Sequence, residues 1–265
     1  MHSKITTKKF YSLTCVILFT VFLFDNMQLQ AQERSAYRAG YIRLGFTSLG
    51  NSLDNNLSPL QNILKGNYGA SSGFVFETGR VFYFMKKDKR RLVNLGLDWT
   101  YSSLNYNKMD KWDAYGKASG SPEYAVEDTK IAAAISSKLG PVVSFNPIEN
   151  LVIDIRAQIA PTIRYFDLNY TEDNGNTITR YFSFVDDQAQ NEDEGFNAES
   201  IKNRIAFGFQ KSFGLTIRRK AIGLALDYIS GNVKSTYQSE DISGSSHGKA
   251  NIPVSNLQIK VSLTL

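Results

Sequence analysis

"LQIKVSLTL" (257–265) alternates without a fault: Leu257, Ile259, Val261, Leu263 and Leu265 are apolar, and Gln258, Lys260, Ser262 and Thr264 are polar. A period of two is the signature of a strand with one apolar and one polar face. Such a strand at the end of a chain needs a partner, because an unpaired edge invites aggregation. The pattern predicts that it closes onto the first strand of the fold, around Tyr41–Thr47.

The same alternation recurs upstream. "GYIRLGFT" sets Ile42, Leu44 and Phe46 against Tyr41, Arg43, Gly45 and Thr47, and "LVNLGLDWTYS" sets Val93, Leu95, Leu97, Trp99 and Tyr101 against Asn94, Gly96, Asp98, Thr100 and Ser102. "NLVIDIRAQIA" (150–160), "IKNRIAFGFQKSFGL" (201–215) and "AIGLALDYI" (221–229) follow suit. "GFVFETGRVFYFM" (73–85) carries Arg80 in its apolar phase, so a bulge near Gly79 or a snorkelling arginine is expected. "TKIAAAISSKLGPVVSF" (129–145) is Ala-rich but lies among strands and is read as one. Together these are eight strands. Their connections alternate between long (about 48–72, 103–128, 171–199 and 231–252) and short (86–91, 146–150 and 218–220). Turns short at one end and long at the other are the layout of an up-and-down transmembrane barrel.

The N-terminus has a different character. Lys4, Lys8 and Lys9 precede an apolar run from Phe10 to Phe24, followed by the polar "DNMQLQAQ". This is the pattern of a secretory signal peptide, expected to span residues 1–31 and to leave a barrel domain of 32–265. The run is short for a membrane-anchoring helix. The formal charge of +5 falls to +3 without residues 1–31, which gives no support to nucleic-acid binding. The remaining chain has no cysteine, hence no disulfide or thiol chemistry, and His247 is its single histidine.

A secreted lipocalin-type barrel shares the eight alternating strands but turns its apolar face inward. Here the polar face is built of small residues with isolated charges, which suits a cramped lumen rather than bulk water. The bulky face carries Trp99, Tyr101 and Tyr228, expected as an interfacial aromatic girdle. The signal peptide, the long–short loop alternation and the terminal "LQIKVSLTL" resemble the bacterial outer-membrane β-barrel family, in its small eight-stranded members. The resemblance implies an all-β, antiparallel barrel in a Gram-negative-type outer membrane, with short periplasmic turns and long extracellular loops. It also implies outer-membrane lipids and the barrel-assembly machinery as partners. Barrels of the family commonly end in an aromatic residue, and Leu265 departs from that.

The lumen-facing charges are Glu77, Asp98, Asp154 and Asp227 against Arg43, Arg156, Arg204 and Lys260. Unpaired charges in so narrow an interior are costly, so a structural ion-pair network filling the lumen is expected. The alternative is a rearrangeable, porin-like network gating a narrow channel for ions or small solutes. A lipid-modifying enzyme is the third reading. Its one candidate nucleophile–base set, Ser245, Ser246 and His247 in "SGSSHGK", reads as a flexible loop, and Ser246 and His247 would point opposite ways on a strand. The acidic run "DDQAQNEDEG" (186–195) lacks the spacing of a calcium loop. No enzyme activity, cofactor or dedicated metal site is therefore expected, and the role falls to the structure or to cell-surface contacts of the loops with a protein or surface partner. In the first of these loops, Ser58 before Pro59 predicts a capped amphipathic helix over 59–65.

Overall fold

The computed structural model describes residues 36–85, 91–118, 130–173, 178–184, 204–241 and 244–265. The expected signal peptide, most of the basic turn at 86–91 and the acidic run lie outside the described residues.

Among the described residues ten strands form a single sheet: β1 (Gly40–Leu49), β2 (Gly73–Tyr83), β3 (Val93–Lys108), β4 (Ile131–Ile148), β5 (Leu151–Asp167), β6 (Asn169–Asp173), β7 (Ile178–Ser183), β8 (Ile205–Arg219), β9 (Ile222–Asp241) and β10 (Gly244–Thr264). Eight of them close a ring, β1-β2-β3-β4-β5-β8-β9-β10 and back to β1, every pair antiparallel. The closing seam pairs β1 with β10 from Tyr41↔Thr264 to Leu49↔Asn256, so the terminal strand has no free edge over this span. Following hydrogen-bonded neighbours around the ring leads from Val261 through Leu44, Phe76, Leu104, Ile135, Ile163, Phe207 and Lys234 to Asn251, ten residues along β10 from the start. That stagger makes the strands tilt by roughly 40° from the barrel axis.

The wall faces outward with its apolar side. Leu44 is 60% exposed, Ile159 62%, Phe209 64% and Leu224 63%, whereas the alternate positions Glu77, Asp98, Asp227 and Lys260 are buried. A soluble barrel would bury the first set, so the chain is a membrane-spanning antiparallel barrel with a polar lumen. Arg80 also faces outward, above the Phe82 ring. The irregularity foreseen near it belongs to the neighbouring strand. Thr78 pairs with Ser102 but Gly79 with Thr100, so Tyr101 is the extra residue of a bulge in β3. The bulge reverses the phase: Asn94, Gly96, Asp98 and Thr100 point inward before it, and Ser103, Asn105 and Asn107 after it.

Short turns end the barrel at one side. Glu149-Asn150 and Lys220-Ala221 are two-residue connections, with Asn150 (φ 63°) and Lys220 (φ 55°) in the left-handed conformation that tight hairpins require. The far side differs from the expected polar loops in three places. β9 and β10 continue as a ribbon to Asp241 and Gly244 where a loop over 231–252 was expected. The 171–199 loop contributes to the β6–β7 hairpin, which joins the β9 edge. β3 runs on to Lys108 and is followed by a helix, α2 (Trp112–Ala118). The other helix, α1 (Pro59–Leu64), starts as its sequence predicts. Ser58 accepts a hydrogen bond from the Gln61 amide at 3.2 Å, and the Gln61 side chain accepts one from the Ser58 amide at 3.0 Å.

Candidate functional site

The interior is stacked in three layers. In the central one, alternation brings at least one side chain from each strand of the ring into a connected cluster. Glu77 of β2 accepts from Lys138 of β4, lies 2.7 Å from Lys260 of β10 and 3.6 Å from Arg43 of β1. Asp227 of β9 pairs with Lys260 and, at 2.5 Å, with Nη2 of Arg156 of β5; Lys138 is 3.8 Å away. Asp98 of β3 accepts from the Tyr41 hydroxyl at 2.7 Å and lies 3.8 Å from the Arg156 Nε. Arg156 also donates to Thr216 of β8 at 2.5 Å. Gln258 ties the set together, its oxygen accepting from Lys260 at 2.9 Å and its nitrogen donating to Asn105 at 2.6 Å. All seven charged groups are buried to within a few per cent.

The backbone is fitted to this cluster. A Cβ on Gly214 would lie 2.0 Å from the Asp227 carboxylate and 2.5 Å from the Arg156 Nε, so β8 leaves a gap where that ion pair crosses. Gly79 plays the same part for the Tyr41 phenol, which would stand 2.4 Å from a Cβ there. The cluster holds three acids, Glu77, Asp98 and Asp227, against four bases, Arg43, Lys138, Arg156 and Lys260.

Towards the short turns a second layer centres on Asp154, which accepts from Ser144 at 2.5 Å and from Arg218 Nε at 3.1 Å. Arg218 reaches on to the Ala36 carbonyl at 2.8 Å and the Tyr83 hydroxyl at 3.2 Å. Tyr37 packs edge-on against Tyr83 and donates to the Arg91 carbonyl at 2.5 Å, so the segment before β1 stoppers this end.

At the loop side the third layer is apolar. Ile63 and Tyr68 of the first loop, Trp112 and Tyr115 of α2, Phe166 of β5, Tyr170 of β6 and Phe182 of β7 pack with Phe184 in one buried cluster. Phe166 stacks on Tyr68 at 5.5 Å and on Phe184 at 4.4 Å, and Trp112 meets Tyr170 at 4.9 Å. Its polar edges are satisfied: Trp112 donates to the Tyr68 carbonyl at 3.0 Å, Tyr68 to the Pro253 carbonyl at 2.9 Å and Tyr115 to the Leu57 carbonyl at 2.6 Å. Below this cork, Arg164 is buried with no acidic partner among the described residues, its Nε and Nη1 making no hydrogen bond to them and its guanidinium 5.7 Å from the Phe166 centroid.

Seven of the eight charged residues named from the sequence lie in these layers: Arg43, Glu77, Asp98, Arg156, Asp227 and Lys260 in the central one and Asp154 in the second. Arg204 does not. It stands one residue before β8, released from strand alternation, and pairs with Asp167 at 3.2 Å in a partly exposed position. Alternation missed Lys138, Arg164 and Arg218. Of the aromatic girdle, Trp99, Tyr101 and Tyr228 all face outward, but Trp99 and Tyr101 sit in the middle of β3 because that strand extends six residues past Ser102. There the Trp99 indole donates to the Ser137 hydroxyl at 3.1 Å. Tyr228 is the seventh residue of the twenty-residue β9.

Near the tip of the β9–β10 ribbon a serine and the histidine meet. Ser245 and His247, two apart on β10 and therefore on one side of it, approach to 3.1 Å, while Ser246 turns away. Both are exposed to solvent.

No protein-family model matches the chain. No curated protein matches it. Among solved structures, the outer membrane protein OprG from Pseudomonas aeruginosa aligns over 86% of this chain and 96% of its own, at 8% identity and a TM-score of 0.31. A likeness that slight carries no argument about function.

Proposed function

We propose that the protein is an integral barrel of a Gram-negative-type outer membrane, exported by removal of residues 1–31, with a sealed lumen and a non-enzymatic role exercised at its loop end. The observation that carries this reading is the three-layer filling of the lumen. A tyrosine stopper, a cluster of charges drawn from seven strands of the ring and an aromatic cork lie in series along one axis. Opening a water path through them requires breaking buried ion pairs whose partners would be left uncompensated. Function then resides on the outer surface, where the described part of the loops forms α1, α2 and the β6–β7 and β9–β10 hairpins. The short turns face the periplasm in this orientation, the loops contact a protein or surface partner, and assembly relies on the barrel-assembly machinery.

Planar-bilayer recording tests the proposal. The refolded barrel, shown to be inserted by its heat-modifiable gel mobility, is expected to give no discrete current steps. Reproducible steps would overturn the sealed lumen.

One observation favours a gated channel as the second reading. Among the described residues the lumen has more bases than acids, and Arg43 and Arg164 both keep guanidinium nitrogens without hydrogen bonds. A channel of this composition would pass anions in preference to cations, so reversal potentials in a salt gradient would identify it.

A further inference from the structure

The outer wall of the barrel is apolar over most of its face, and near the loop end of β8–β10 it is not. Lys211 faces outward on β8 between Phe209 and Phe213 and sits level with Ser230 of β9. Beside it an open cleft of about 380 Å³ is lined by Tyr228, Ser230, Asn232, Pro253, Ser255 and by Lys65 at the end of α1. Lys234 stands two residues beyond Asn232, exposed on the same face of β9. Among the described residues none of the three lysines makes an ion pair. Below the cleft the wall is apolar again, with Phe213, Leu226, Tyr228 and Leu257 exposed.

We infer that this cleft is a binding site for a phosphate-bearing membrane amphiphile. A cation on a lipid-facing strand is unfavourable unless its charge is met at the headgroup level. Three of them around hydroxyl and amide groups provide both the charge and the hydrogen bonds that a phosphomonoester or phosphodiester takes up. The apolar strip beneath provides what the acyl chains require. Free phosphate satisfies the first half of this description and not the second, and a zwitterionic headgroup leaves the three lysines without a net counter-charge. The site therefore selects an anionic lipid.

This inference rests on the membrane reading, and the test separates the two. The protein is refolded in detergent micelles, its folding checked by heat-modifiable mobility, and exposed to equal amounts of phosphatidylglycerol and phosphatidylcholine of matched chains. Retained lipid is counted by native mass spectrometry. Failure to fold in micelles or vesicles alike would tell against the barrel itself. For the folded protein, preferential retention of phosphatidylglycerol is expected. Lys211→Gln should lower that preference about fivefold, the effect of one lysine near an anionic surface, and the triple change K65Q/K211Q/K234Q should abolish it. Equal retention of both lipids by the unaltered protein overturns the inference, as does a preference that survives the triple change. Displacement of the lipid by an equal concentration of inorganic phosphate also overturns it, since the site would then bind free anion.

Discussion

The four-to-three imbalance of the central cluster makes an unequal prediction for its two halves. Glu77→Gln removes an acid that three bases share, Lys138, Lys260 and Arg43, and leaves four buried cations facing Asp98 and Asp227. Removing one partner of a buried pair costs about 3–5 kcal/mol because the other is stranded. Here the stranded charges also repel each other at close range, so the upper end of that range applies. Lys138→Met removes a base whose two acids keep other partners: Glu77 retains Lys260 and Arg43, and Asp227 retains Arg156 and Lys260. It leaves three acids with three bases, and methionine fills most of the lysine stem's volume. The expected cost is about 0–2 kcal/mol, since lost attraction is offset by relief of repulsion and of desolvation. The double variant carries three bases to two acids and should be less destabilised than the sum of the singles by about 1–3 kcal/mol, as groups in contact couple. Urea unfolding of barrels folded in lipid vesicles measures all three. Tryptophan fluorescence reports on two places, Trp99 on the lipid-facing wall and Trp112 inside the cork. The reasoning fails if Lys138→Met costs as much as Glu77→Gln.

Two other substitutions probe the geometry around that cluster. Gly214→Ala puts a methyl group 2.0 Å from the Asp227 carboxylate, and the forced rearrangement should cost about 1–3 kcal/mol in the same unfolding assay. Trp112→Ala empties the centre of the cork and should cost about 3–5 kcal/mol. Protease cleavage of the barrel in vesicles should then accelerate at the loop end, while planar bilayers stay silent because the charge cluster still blocks the lumen.

The legible parts of the fold are those in which large and small or apolar and charged residues take turns. "LQIKVSLTL" and "AIGLALDYI" announce both faces, and with them the inward places of Lys260 and Asp227. Lys138 was hidden because "IAAAISSKLG" offers small residues to both faces, leaving alternation without a phase. Arg218 was hidden in "RRK", which reads as a solvated turn, whereas the turn itself is only Lys220-Ala221 and Arg218 points inward beside Asp154. Arg164 lies four residues beyond the end of the alternating stretch "NLVIDIRAQIA". The Tyr101 bulge cut β3 in two, because the residues after it alternate in the opposite phase. The cork was invisible to periodicity altogether. Its aromatics come from segments with no common repeat, such as "KWDAY" (111–115) and "YFSF" (181–184), and only their density inside otherwise polar loops hinted at burial.

A barrel whose outer face must be apolar has a reason to keep charges inside that goes beyond stability. Replacing buried ion pairs by apolar groups is often neutral or favourable in energy, so the cluster is not explained by its strength. Shifting any strand by one residue turns all its side chains to the opposite face. With an apolar lumen that slip would exchange one greasy face for another at little cost. With Glu77, Asp98, Asp227 and Lys260 inside, a slipped strand would carry a charge into lipid and strip its partners on two or three other strands. Glu77 of β2 is bonded to β4 and β10, and Asp227 of β9 to β5, so each acid checks the register of strands that are not its neighbours. The sealed lumen that we propose would follow from that role. A ring that sets its register by crossing charges spans its own bore, and what remains free to meet other molecules is the wall and the loops.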